Sequence, residues 1–177
     1  MNEARRHPNV VNIEEVSPRV EKRGNFVYSA RRLGPEAGGR SLGCSYFELP
    51  AGKTAFPNHF HSSVEEALYI LEGAGTLRIG TEQTGVRAGD YVAFPAGPDF
   101  AHALTNTGAH PLKYLCLSAP ADPATLDIIG YPDSKKIAFA SGIDPTKGLR
   151  GGAWVMKIIK DDQTIVDYYD GEPLADA

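Results

Sequence analysis

The stretch FPNHFHSSVEEALYILEGAGTLRIG, residues 56–80, sets two histidines one residue apart and two adjacent glutamates four residues further on. Imidazole is the commonest metal-ligating side chain, and carboxylates often complete such a set. In an extended segment side chains alternate between faces, so His59 and His61 share one face and Phe60 takes the other. That is the placement a chelating pair needs. Glu65 and Glu66 fall on opposite faces of the strand that follows, so at most one can join the histidines. Leu68 and Ile70 share the face of Glu66, while Ala67, Tyr69 and Leu71 share that of Glu65. The strand is therefore apolar on both sides, as in a packed sandwich, and alternation leaves the choice of glutamate open.

A second cluster lies in GDYVAFPAGPDFAHALTN, residues 89–106. Gly89 and Asp90 form a turn into a strand ending at Pro95, and the PAGP loop reverses the chain to deliver His102 onto the next strand. Phe94, Phe100 and Leu104 flank this histidine. On a regular strand Phe100 and Leu104 face its way; with Phe94, Leu68 and Ile70 they read as ordinary core, as an apolar wall around a metal, or as both, since small-molecule pockets are mostly apolar. Arg78 and Arg87 are cations within or beside strands, where solvation is the ordinary outcome.

The elements that must position these residues are strands. Glycine (19) and proline (13) punctuate short β-branched and aromatic runs through a chain of 177 residues, which argues for an all-β sandwich or barrel. The expected strands are NFVYSARRL, RSLGCSYFEL, EALYILEG, GTLRIG, DYVAFP, FAHALTN, LKYLCLS, KKIAFAS, AWVMKII and TIVDYYD. Residues 1–24 are polar and aperiodic and read as an arm or an edge addition. Residues 25–170 read as one barrel domain, with its densest core at 40–118 and an extension at 119–170, and 171–177 read as a frayed tail. APADPATLDIIGYPDSKK (119–136) reads as a connection with room for one helical turn, with a turn signal in Pro132 and Asp133. GLRGGAW (148–154) lacks the lysine and hydroxyl residue of a phosphate loop and reads as plain loop.

Composition narrows the function classes. Eighteen Lys+Arg against 22 Asp+Glu give a net charge of −4, and no basic excess or run marks a nucleic-acid surface. No apolar stretch has transmembrane length, and the N-terminus lacks the apolar core of a signal peptide. Cys44 and Cys116 lie in apolar strand-like runs and offer neither a disulfide framework nor a CxxC motif. These features point to a cytoplasmic protein with reduced cysteines, no nucleic-acid partner and no membrane partner.

Together the two clusters resemble the motif pair of the cupin family. Gly52, His59, His61, Glu66 and Gly73 fit the first motif, with six residues rather than five between Gly52 and His59. The spacing back from Gly73 selects Glu66 over Glu65. Gly89, Pro95, Gly97, His102 and Asn106 fit the second, with two extra residues between Gly97 and His102. The resemblance covers Gly52 to Asn106 and, more loosely, the flanking strands. It implies a double-stranded β-helix (jelly-roll barrel) with N- and C-terminal strand extensions, and one divalent ion held by His59, His61, Glu66 and His102. Such a mixed N/O set suits Fe, Mn, Ni, Co, Cu or Zn, and three neutral imidazoles with one carboxylate leave a net +1 centre with open positions. Open positions favour catalysis or ligand capture over a closed structural site. The implied function is a metal-dependent enzyme on a small polar metabolite, with sugar or sugar phosphate isomerase ahead of dioxygenase. A non-catalytic small-molecule binding or sensing module is the alternative. A sensor fused to a DNA-binding unit is disfavoured, because the first 25 residues are too short and too polar for a helix-turn-helix. Exposed sheet edges, which small cupins commonly cover by pairing, add the expectation of a homodimer. No catalytic residue beyond the ligands is singled out.

Overall fold

A computed structural model describes residues 6–120, 126–141 and 155–160. In chain order its strands are β1 (Arg19–Arg23), β2 (Phe26–Arg32), β3 (Gly43–Leu49), β4 (Phe60–His61), β5 (Val64–Glu72), β6 (Ala74–Ile79), β7 (Glu82–Arg87), β8 (Tyr91–Phe94), β9 (His102–Thr105), β10 (Leu112–Pro120), β11 (Asp127–Tyr131), β12 (Lys136–Ser141) and β13 (Val155–Lys160). One short helix, α1 (Leu33–Glu36), follows β2. Neighbouring strands pair antiparallel. They form a six-stranded sheet in the order β1-β2-β3-β10-β5-β8, a three-stranded sheet β7-β6-β9, and a four-stranded sheet β13-β12-β11-β4. This is the double-stranded β-helix that the motifs imply.

The interior lies between the six- and three-stranded sheets. Leu49, Ile70, Leu77, Leu112 and Tyr114 are almost wholly buried there, with Phe47, Leu68, Val86, Phe94 and Leu104 around them. Alternation explains the selection. On β5, Leu68 and Ile70 are buried while Tyr69 and Leu71 are each 40% exposed on the outer face. Phe47 stacks on Tyr114 with ring centroids 5.1 Å apart, and Tyr28 and Phe56 close the aromatic cluster. The cysteines occupy different cross-strand pairs of one sheet, Cys44 opposite Leu117 and Cys116 opposite Ser45, and both are free thiols. Residues one apart on a strand point to opposite faces, so this register keeps the two thiols apart.

The family-motif glycines sit where the chain must turn: Gly52, Gly73, Gly89 and Gly97 all have positive φ, which a side chain opposes. The motif asparagine is an internal fastener. Asn106 is fully buried; its Nδ2 donates to the carbonyls of Leu49 (2.7 Å) and His110 (2.9 Å), and its Oδ1 accepts from Gly108 N–H (3.0 Å).

Several elements depart from the sequence expectations. Residues 119–136 hold more than a connection with a helical turn: they carry β11, which pairs with β12 on one side and β4 on the other, followed by a 3-10 turn at Pro132–Ser134. β4 falls within the segment expected to be extended around His59 and His61, whereas β7 was not expected, because EQTGVR is polar and largely exposed. The end of the polar arm, by contrast, takes the edge-addition form that its sequence allowed, pairing with β2 as β1. TIVDYYD, GLRGGAW and the tail lie outside the described residues, apart from the β13 part of AWVMKII.

Candidate metal site

Strand pairing brings the site together. His59 and His102 form a directly opposed pair: His59 N–H donates to His102 O (3.1 Å) and His102 N–H to His59 O (2.8 Å). Directly opposed residues in an antiparallel pair share a face, and the two imidazole centroids are 4.7 Å apart. His61, two residues on from His59, follows on the same side, with centroids 5.3 Å apart. Glu66 approaches from β5, where it lies opposite Phe94 of β8.

The donors converge on one oxygen. Glu66 Oε2 is 3.4 Å from His61 Nε2, 3.4 Å from His102 Nε2 and 3.8 Å from His59 Nε2. His59, His61 and Glu66 offer ligand atoms that all lie within 4.8 Å of one another. His102 stands slightly outside that tightest group yet reaches the same carboxylate oxygen. All four side chains are 10–16% exposed, recessed but accessible.

The other nitrogen of each ring is already engaged. His59 Nδ1 donates to Pro57 O (2.9 Å), His102 Nδ1 to Phe100 O (3.0 Å), and His61 Nδ1 to Asp127 Oδ2 (2.6 Å). Carbonyls and carboxylates only accept, so each Nδ1 carries the proton and, in the neutral ring, each Nε2 lone pair faces Glu66. Three aimed imidazole lone pairs and a carboxylate fit a divalent ion.

The two members of the H-x-H pair differ electrically. Burial and the neighbouring His102 and His61 push His59 down to about 4, against the pull of Glu66. Burial also opposes charge on His61, but hydrogen bonds to Asp127 and Glu66 outweigh it and raise this ring to about 9. Burial disfavours the Glu66 anion too, yet His102 and His61 hold its carboxyl well below the usual carboxylate range. Asp127 is likewise lowered: its hydrogen bonds from His61 and Ser63 outweigh the effect of burial.

The structure treats the expected apolar wall unevenly. Phe94 stacks on His102 at 3.7 Å. Leu68 and Leu104 are the next same-face neighbours of Glu66 and His102 and belong to the core cluster. Ile70 is four residues along β5 from Glu66, about 13 Å at strand rise, and is buried in the barrel core, too far along to line the site. Phe100 does not face the way of His102. Residues Pro98–Phe100 form a 3-10 turn that breaks alternation, and β9 begins at His102. Phe100 is instead 37% exposed in a surface groove shared with Asn58, Arg78, Thr81 and Glu82. Arg78 is tied to Asp133 (2.8 Å) and to Gly80 O.

Sequence reasoning missed Asp127, Tyr131 and Phe56. Tyr131 lies over His59 with centroids 6.0 Å apart, and Phe56 meets the same ring edge-on at 6.1 Å. Only the alternating DIIGY run could have marked β11 as a strand, and proline and aspartate on either side obscured it.

Residues 45–118 match the family model of the cupin domain, and the strands built around them form the double-stranded β-helix described above. An uncharacterised protein from Methanocaldococcus jannaschii is 42% identical over 73 residues, 41% of this chain and 55% of the relative, so the match spans about half of that protein's length. Two solved structures resemble almost the whole chain. A candidate sugar phosphate isomerase from Acidithiobacillus ferrooxidans superposes with TM-score 0.70 at 24% identity, covering 96% of this chain and 98% of its own. A cupin-superfamily sugar phosphate isomerase from Silicibacter pomeroyi gives TM-score 0.70 at 21% identity, covering 94% and 96%. At these identities the likeness speaks for the fold. Among the described residues no helix is long and apolar enough to cross a membrane.

Proposed function

We propose that this cupin is a metal-dependent enzyme acting on a small polar metabolite, a sugar or sugar phosphate isomerase in preference to a dioxygenase. One observation carries the metal part: three Nε2 atoms face a single Glu66 oxygen while every Nδ1 is committed to an acceptor. His59, His61, Glu66 and His102 would hold one divalent ion. Such an ion supplies Lewis-acid polarisation of a bound substrate oxygen. The chain's own part is to keep three imidazoles aimed, to recess them under Phe94, Phe56 and Tyr131, and to leave an approach for the substrate. The isomerase preference draws support from the two whole-length structural relatives, because the fold alone hosts many reactions.

A thermal-shift panel of small carboxylates, hydroxy-carbonyl sugars and sugar phosphates, with and without added metal, tests this reading. A ligand specific to the folded state adds about 2.7 kcal/mol at one hundred times its Kd, and the metal-free protein should lose that response. Metal-independent stabilisation would overturn the proposal. Stabilisation without turnover would turn it into a binding module. Iron in protein purified without chelator would move the reaction toward oxygen chemistry, and zinc or manganese toward isomerisation. We further propose a homodimer, supported by the exposed Tyr69, Leu71 and Tyr91 on the outer face of the six-stranded sheet. Light scattering at micromolar concentration should give twice the chain mass.

A further inference from the structure

The third imidazole of the site depends on a residue from outside both motifs. Asp127 opens β11, 66 residues from His61, and its carboxylate is almost fully buried. Its two oxygens have separate duties. Oδ2 accepts from His61 Nδ1 at 2.6 Å. Oδ1 accepts from the backbone N–H groups of Ser62 and Ser63, both at 3.1 Å, and from Ser63 Oγ at 3.2 Å. The contact is braced from the other side as well, since Ile128 N–H donates to Ser62 Oγ (2.8 Å) and Ile129 pairs with His61 across β4 and β11.

We propose that Asp127 is the positioning residue of the site: it selects the Nδ1-protonated tautomer of His61 and so frees Nε2 to ligate. The inference rests on the metal-site reading for its consequence, but the tautomer assignment holds for the metal-free protein too. His59 and His102 need no such helper, because backbone carbonyls two residues upstream do the same for them.

Asp127→Asn tests this with little change in shape. Four donors face Oδ1, the three above and Ser62 Oγ at 3.5 Å, so the amide oxygen settles there and the NH2 group faces His61 Nδ1. A donor in that place requires Nδ1 to accept, which moves the proton to Nε2 and blocks ligation. Asp127→Glu keeps an acceptor and should restore the native tautomer. Two measurements on the full chain apply. Nitrogen-15 NMR of the metal-free protein at alkaline pH, where His61 is neutral, reports its tautomer. Zn²⁺ affinity comes from competition with a chromophoric chelator. Expected for Asp127→Asn are an Nε2-protonated His61 with His59 unchanged, and a Zn²⁺ affinity lowered about 10–100-fold, with recovery in Asp127→Glu. A native tautomer and native affinity in Asp127→Asn would overturn the proposal, as would an Nε2-protonated His61 in the wild type. Should Asp127→Asn fail to fold, Ser63→Ala loosens the same carboxylate and should weaken Zn²⁺ binding measurably; no change would count against the proposal. A wild type that shows the expected tautomer yet takes up no Zn²⁺ would sink the metal reading and leave the role of Asp127 in tautomer choice intact.

Discussion

His59 and His61 sit two residues apart on one face of one segment, yet the molecule holds them in different ways. His59, like His102, is fixed locally by a carbonyl two residues before it, and its surroundings keep it neutral. His61 is fixed by a carboxylate from a distant strand and holds a proton strongly. Ligand spacing in a sequence therefore says which side chains can meet, while the partners of their second nitrogens decide when each is ready to bind.

Glu66 is the point both sides share, so removing its charge should have the largest effect. Glu66→Gln should lower Zn²⁺ affinity at least about 100-fold, beyond the 10–100-fold typical of a lost outer partner. Glu65→Gln is the control. Glu65 lies on the other face of β5 and is exposed, so its substitution should shift affinity by no more than about twofold, as for an ordinary surface change. Equal losses measured by chelator competition would mean that neither side of the site is organised around Glu66.

The same control shows how far the sequence could be read. Alternation could not choose between the two glutamates, but the cupin motif's spacing back from Gly73 could, and that glycine turns the chain out of β5 with positive φ. The double-stranded β-helix and the four convergent side chains were legible through the same resemblance to the cupin motif pair, whose glycines stand at turns of positive φ. Asp127 was not legible. An aspartate after PADPATL looks like a turn former, and its role depends on β11 pairing with a strand 66 positions earlier. Phe100 was misplaced because two extra residues before His102 fold into a 3-10 turn and interrupt the period-two pattern.

A second, smaller effect separates the two histidines by pH. A ring lowered from 6.5 to about 4 is neutral in the folded protein while the unfolded chain binds a proton, so the His59 contribution is present above pH 6.5 and lost as pH falls toward 4. A ring raised to about 9 works in the opposite direction. The His61 contribution is complete below pH 6.5 and lost as pH rises through 9. The metal-free protein should accordingly melt highest near pH 6.5 and lose stability on both sides, as far as these two groups control it. Metal must displace the His61 proton, so Zn²⁺ affinity should climb about tenfold per pH unit up to about 9. Affinity that is flat from pH 6.5 to 9 in a metal-buffered titration would erase the contrast between the two rings.

The smallest effect tests whether the dependence of His61 on β11 is mechanical as well as chemical. Gly130 pairs with Phe60 where β11 meets β4, and a Cβ there would overlap the Cε1 and Cζ atoms of the Phe60 ring. The ring tip can swing, but only by giving up its packing on the strand, so Gly130→Ala should cost about 1–3 kcal/mol in stability, the usual range for overpacking. Any shift of β11 away from β4 also draws Asp127 from His61, because both contacts lie on the same five-residue strand. Zn²⁺ affinity should therefore fall, though by less than in Asp127→Asn, since the carboxylate is still present to accept the hydrogen bond. His59 should keep its tautomer, because Pro57 precedes it in the same segment and does not move with β11. The discriminating measurement is the nitrogen-15 shift of each ring in the metal-free variant. A change confined to His61 would mean that β11 governs one side of the site, whereas matching changes in both rings would mean that the segment 57–61 moves as one body and the two histidines are not independently held.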